Sequence, residues 1–168
     1  LPHYSEWHQW DFWKDYCTKH VFYQTLTEIH LRQDCYPPYP EAPSFLSSLR
    51  SAGFFVVIAS HREEKTRTPT VAWLRKYGLY HDQVHLSPDK SVLFRDAWGL
   101  VDDSPALLDK AAQAGLVRAG LSNPWNARSG HPLFPNLPEL LSYLLSEQGP
   151  CVPSSPDESK DKPDLAGV

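Results

Sequence analysis

Residues 98–121, WGLVDDSPALLDKAAQAGLVRAGL, hold the reading that decides the fold. Trp98-Gly99-Leu100-Val101 is short and apolar, as a strand is, and runs straight into Asp102-Asp103-Ser104-Pro105. There, side chains that cap helices stand before a proline suited to the first helical position. The spacing predicts a helix over 104–114 that closes at Gly115, since glycine takes the left-handed conformation at little cost. Residues 116–121, LVRAGL, read as a further strand. Strand, helix and strand in one short stretch is the grammar of a parallel crossover.

The same grammar runs upstream. A helix over 42–52 ends at Gly53 before a strand-like 54–59, and a helix over 66–77 ends at Gly78 before a strand-like 83–86. A last helix is expected over 137–146. The fold class is therefore α/β: a Rossmann-like parallel sheet flanked by helices, with a small helical cap on its N-terminal side. Residues 6–34 are aromatic-rich and read as one or two helices, with Trp7, Trp10, Trp13 and Cys17 near one face. Tyr36-Pro37-Pro38-Tyr39-Pro40 then holds the chain extended. Residues 148–168, rich in Pro, Ser, Asp and Lys without an apolar period, read as a disordered tail. The organisation expected is a cap-like segment 1–40, a core 41–147 and a tail 148–168.

Composition narrows the classes. Of 168 residues, 41% are hydrophobic and 12% aromatic, enough to build a core and to exclude wholesale disorder. The longest apolar run, Phe54-Phe55-Val56-Val57-Ile58-Ala59, is too short to cross a bilayer, so no membrane partner is expected. With 16 Lys+Arg against 20 Asp+Glu, a net charge of −4 argues against a nucleic-acid polymer as partner. Cys17, Cys35 and Cys151 form no CxxC pair, which argues against a disulfide framework and fits a reducing, cytoplasmic setting. His81 and His85 are four apart, but in a loop entering a strand, where their side chains do not converge on zinc. There is no Met, so the sequence is expected to begin partway into its gene product.

Parallel α/β sheets place ligands beyond the C-terminal ends of their strands. Those positions hold Ser60-His61-Arg62, then Ser87-Pro88-Asp89-Lys90, then Asp102-Asp103, then Ser122-Asn123-Pro124-Trp125-Asn126. A hydroxyl, an ammonium and paired carboxylates suit a phosphoryl group held beside a divalent metal. Carboxylates offer the hard oxygen that Mg²⁺ prefers, while hydroxyl and ammonium offset phosphoryl charge. Singly, each residue has a plainer reading as helix cap, turn residue or solvated lysine. Their joint order carries the functional one.

That order, VVIASHR, TVAWLRKYGL, SPDK and GLVDDSPALLDKAAQAG, resembles the haloacid dehalogenase-like (HAD) hydrolase superfamily across residues 39–143. Within it, the chain is similar to small phosphatases of the 5'(3')-deoxyribonucleotidase type. The resemblance implies a Mg²⁺-dependent hydrolase acting on a small phosphomonoester, nucleotides included, through an aspartyl-phosphate. Ser60 would be the second-motif hydroxyl and Lys90 the third-motif lysine, both catalytic. Asp102 and Asp103 would be the acidic fourth motif, with Asp102 the direct metal ligand. His61 and Arg62 would touch the substrate phosphate. Residues 1–40 would be an inserted cap, with Trp13 among the rings that could contact substrate.

One part is missing. The family's first motif, an apolar strand ending in D-x-D-x-T/V, supplies nucleophile and general acid, and residues 1–168 contain no such stretch. In the family that strand lies between those ending here at Ser60 and Asp102. Its omission would leave two edges of unpaired backbone groups, each costing about 1–3 kcal/mol when buried. Strand and nucleophile are therefore expected upstream of Leu1. The alternative is a catalytically inactive relative that uses the cap and the Asn123-Pro124-Trp125-Asn126 loop to bind a ligand or protein partner. Oligomeric state is open.

Overall fold

A computed structural model of the chain describes residue 3 and residues 6–147, so the expected tail at 148–168 lies outside the described residues. The elements in chain order are α1 (Lys19–Leu31), α2 (Ala42–Ser51), β1 (Val57–Ser60), α3 (Arg67–Lys76) and β2 (Gln83–Leu86). There follow β3 (Gly99–Val101), α4 (Pro105–Gln113), β4 (Val117–Leu121), β5 (Leu133–Phe134) and α5 (Leu137–Ser146). Mixed α/β architecture with short parallel strands flanked by helices is what the crossover grammar predicts. Every strand pair is parallel: Val57 opposes Gln83, Gly99 opposes Val117 and Gly120 opposes Leu133.

The expected single sheet is instead two. β1 pairs only with β2, while β3, β4 and β5 form a second sheet in that order. Among the described residues, β1 and β3 are thus each paired along one side only. The hydrophobic core is nevertheless shared. Phe45, Leu46 and Leu49 of α2, Leu74 of α3, and Leu137, Leu140 and Leu144 of α5 form one buried cluster with Val56, Leu79 and Ala119. Spacings of three, four and seven put these side chains on one face of each helix. Ile58 and Val84 from the first sheet, and Val117 and Leu121 from the second, pack against the same cluster. The rings of Phe54 and Trp98, which precede β1 and β3, meet at 5.0 Å.

Two local departures have clear causes. β1 starts at Val57 rather than at residue 54, because the Asp82 segment closes its lower end. The Val56 N–H donates to the Asp82 carboxylate (2.7 Å), and the Val56 carbonyl accepts from the Asp82 N–H (2.9 Å). β5 has two residues, too few to show a period.

The aromatic N-terminal segment is not one continuous helix. Phe12–Asp15 is a single 3-10 turn, and α1 begins only after Thr18, whose hydroxyl accepts from the Val21 N–H. Trp7, Trp10 and Trp13 therefore share no helical face; ring packing takes its place. Trp7 stacks on Phe12 (3.9 Å) and reaches Trp125 (6.1 Å), Trp10 meets Trp125 edge-on (6.5 Å), and Trp13 stacks on Phe22 (4.7 Å). Polar bonds fasten this segment to the core. Thr27 Oγ1 donates to Glu63 Oε1 (2.7 Å), and Trp73 Nε1 donates to the Tyr36 carbonyl (2.7 Å).

His30 of α1 lies at this junction, partly buried and close to Arg62. Burial, reinforced by the Arg62 guanidinium, holds its imidazole down from the ordinary 6.5 to about 4. Below pH 6.5 the unfolded chain accepts a proton that the folded chain refuses, so this histidine lowers stability as pH falls from 6.5 towards 4. His30→Gln is expected to remove that slope. The variant's urea midpoint should gain on that of the parent between pH 7 and pH 5; parallel pH profiles would contradict the placement of His30. No helix among the described residues is long and apolar enough to cross a membrane.

Candidate functional site

Asp89 shapes the loop after β2. Its carboxylate accepts from the Ser91 N–H (2.9 Å) and Oγ (2.6 Å), starting the 3-10 turn Lys90–Leu93. Lys90 Nζ then reaches the loop after β3 and donates to Asp102 Oδ2. The two side chains are only 12% and 9% exposed, so this is a nearly buried ion pair. Asp102 Oδ1 accepts from the N–H of Ser104 (2.9 Å), the residue just before α4, whose own side chain makes no capping bond. Asp102 is anchored from below as well, its N–H donating to the Ala119 carbonyl of β4 (3.1 Å).

The other rim positions close around this pair. Burial and the adjacent Asp102 charge raise the Asp103 carboxyl above its ordinary range, partly offset by Lys90. Burial and the Lys90 charge lower the His61 imidazole, with Asp102 opposing, which puts His61 in the electrostatic reach of both. Ser60 ends β1, and its carbonyl accepts from the Ser87 N–H (3.1 Å), tying that strand end to the loop that carries Lys90. Beyond β4, Asn126 is fully buried. Its Nδ2 donates to the carbonyls of Asp103 (3.2 Å) and Leu121 (2.9 Å), and its Oδ1 accepts from the Asn123 N–H (2.8 Å). Asn126 thus fixes the loop after β4 to the paired aspartates.

The structure brings together His61, Lys90, Asp102 and Asp103, with Ser60 at the adjoining strand end. Arg62 and Trp13 make their contacts elsewhere. Arg62 donates to Thr70 Oγ1 of α3 (3.0 Å), and Trp13 is taken up by Phe22 and Tyr23. Asn126 belongs to the strand-end loop 123–126, whose sequence marks it as a binding loop; that its amide holds the aspartate loop is visible only in the fold.

No family model, curated protein or solved structure matches this chain. The chemistry of the site is therefore read from its donors. Among the described residues no group of three or more His, Cys, Asp or Glu side chains could hold a metal ion. Mg²⁺ is often held by one or two carboxylates, with phosphate oxygens and water completing its shell. Asp102 and Asp103 fit that kind of seat in donor type, and Lys90 balances only one of their two charges.

Proposed function

We propose that this chain belongs to a Mg²⁺-dependent, HAD-like phosphatase acting on a small phosphomonoester, whose nucleophilic aspartate is supplied upstream of Leu1. The observation that supports this most is the convergence of His61, Lys90, Asp102 and Asp103 at one rim. Lys90 cancels Asp102, which leaves the Asp103 charge to repel a phosphate dianion unless a cation lies between them. Bound Mg²⁺ would supply that neutralisation and polarise the phosphoryl oxygen.

In this reading a carboxylate oxygen attacks phosphorus while the P–O bond to the alcohol breaks; water then cleaves the acyl phosphate and releases inorganic phosphate. Lys90 and the Ser60 hydroxyl would hold the transferring group, as electrostatic catalysis of phosphoryl transfer requires. Asn126 keeps the Asp103 backbone from drifting. The HAD-type sheet, the nucleotide among possible substrates and a cytoplasmic setting belong to the same proposal.

The second reading, a catalytically inactive binding protein of the same fold, gains from the engagement of five further aspartates among the described residues. Asp11 is paired with Lys14, Asp82 with Tyr80, Asp89 with Ser91, Asp96 with Arg95 and Asp109 with His131. Each of these already has a partner of its own, and none stands in a D-x-D pattern. One experiment separates the readings. Extended upstream to include an apolar strand ending in D-x-D, the chain is expected to release phosphate from p-nitrophenyl phosphate in Mg²⁺. Asp102→Asn should cut that rate by about 100-fold or more. Activity that survives EDTA, or that Asp102→Asn leaves intact, would overturn the metal assignment. An upstream sequence without D-x-D hands the site to the binding reading.

A further inference from the structure

We propose that Arg62, His30 and Thr70 form a seat for a tetrahedral oxyanion, a phosphate or sulfate group, between α1 and α3. The observation that carries this is a partly buried guanidinium without a counterion. Arg62 Nη1 donates to Thr70 Oγ1 (3.0 Å), and this neutral hydroxyl is its one hydrogen-bond partner among the described residues. Its Nε is buried with no acceptor. The neighbouring carboxylates are engaged elsewhere, Glu63 with Lys65 and Thr27, and Glu64 with Arg67. Arginine is seldom buried unless paired, because an uncompensated charge in a poorly solvated place is costly.

Two further donors come from the elements on either side. Thr70 of α3 is 3% exposed, and its hydroxyl accepts from Arg62 while donating to no acceptor among the described residues. α1 lies across the loop that carries Arg62, held there by Thr27 Oγ1 on Glu63 Oε1 (2.7 Å). His30 follows Thr27 by three residues and so shares its face of the helix. It is half-buried and within reach of the Arg62 charge, which together with burial keeps its imidazole neutral. A neutral imidazole has one N–H to give, and His30 makes no hydrogen bond with its side chain among the described residues. A guanidinium edge, an O–H and an N–H thus meet from three parts of the fold, and no carboxylate is bonded to any of them.

The donors choose the ligand. A guanidinium presents its N–H groups as a planar fork that matches two oxygens of an oxyanion. The hydroxyl and the imidazole come from α3 and α1, on either side of that fork, which suits oxygens spread tetrahedrally over those of a flat carboxylate. Arg62 and His30 are each partly open to solvent, so a small ion reaches them. This seat is not the rim beside Lys90. The charges acting on His61 are those of Lys90, Asp102, Asp89 and Lys110, and those acting on Asp103 are Asp102 and Lys90; Arg62 belongs to neither set. An ion here joins α1 to the loop after β1 and to α3, and so fastens the N-terminal helix to the core. The inference does not depend on the proposed hydrolase chemistry.

The test uses residues 1–168 and inorganic phosphate, against sodium chloride of equal ionic strength, which screens charge without filling the seat. The His30 ring protons, assigned with His30→Gln, are followed by nuclear magnetic resonance as pH is varied. Saturating phosphate is expected to raise the His30 midpoint from about 4 to about 5 or above, as an opposite charge at close quarters does. The other charged groups around this junction, Glu63, Glu64, Lys65 and Arg67, are paired among themselves, so Arg62 and the ion set the response. Arg62→Gln should abolish it. Arg62→Lys keeps the charge but not the fork and should need about tenfold more phosphate. Glycerol phosphate in place of inorganic phosphate tells an ester group from a free ion, and saturation by either upholds the seat. An unmoved His30 midpoint in the parent, an equal shift in chloride, or a phosphate response confined to His61 would overturn it, and none of these readings needs a variant. A shift that Arg62→Gln leaves intact would overturn it as well.

Discussion

Lys90→Met is expected to lower the free energy of unfolding by about 3–5 kcal/mol, the cost of stripping one partner from a buried ion pair. Among the described residues Lys90 is the one cation hydrogen-bonded to Asp102, and both side chains are nearly closed off from water. Without the ammonium, the Asp102 carboxylate keeps just the Ser104 N–H and must remain a charge in a poorly solvated place. The double variant Lys90→Met/Asp102→Leu removes both charges and should recover most of the loss. About 1 kcal/mol would remain, because the Ser104 N–H loses its acceptor with the carboxylate. Urea denaturation of parent, single and double variants at pH 7 decides it. A single variant within about 1 kcal/mol of the parent would mean that the pair is solvated and the rim is open.

Gly120→Ala is the second large effect, expected to cost about 3 kcal/mol, at the upper end for overpacking. A Cβ at this position in β4 would overlap the Asp102 carbonyl oxygen and approach Leu133 Cδ2 to 3.3 Å. The first obstacle is backbone, which cannot rotate away as a side chain can. β4 and the aspartate loop must separate, so the substitution strikes stability and the rim together. Gly115→Ala is the informative control. Nothing lies within 4 Å of a Cβ there, and the cost is conformational only, from a φ of +76°, or about 1–2 kcal/mol. Equal losses for the two alanines in thermal or urea unfolding would show that space beside Asp102 is not the constraint.

Both predictions concern residues whose importance was unequally visible beforehand. Asp102 and Lys90 stand out from their places after apolar strands, and the parallel crossovers that bring them to one rim follow from the helix–glycine–strand order. Gly120 carries no such mark; its role exists only because β4 lies against the Asp102 carbonyl. Arg62 shows the reverse. Beside His61 in sequence it looks like a rim residue, yet its guanidinium goes to Thr70, since α3 offers a hydroxyl on that side. Trp13 likewise finds ring partners in Phe22 and Tyr23, which its place in the sequence does not reveal.

By itself the sequence determined the alternation of strands and helices, the glycines that end them and the order of polar residues at the strand ends. Those are local properties, set by apolar period and backbone conformation within a dozen residues. Only the tertiary structure decided that the strands form two sheets, that Lys90 pairs with Asp102, that Asn126 locks the aspartate loop and that, among the described residues, β1 and β3 are each paired along one side only. Each depends on groups distant along the chain meeting across a core, where desolvation and hydrogen-bond geometry choose the partner and chain order does not.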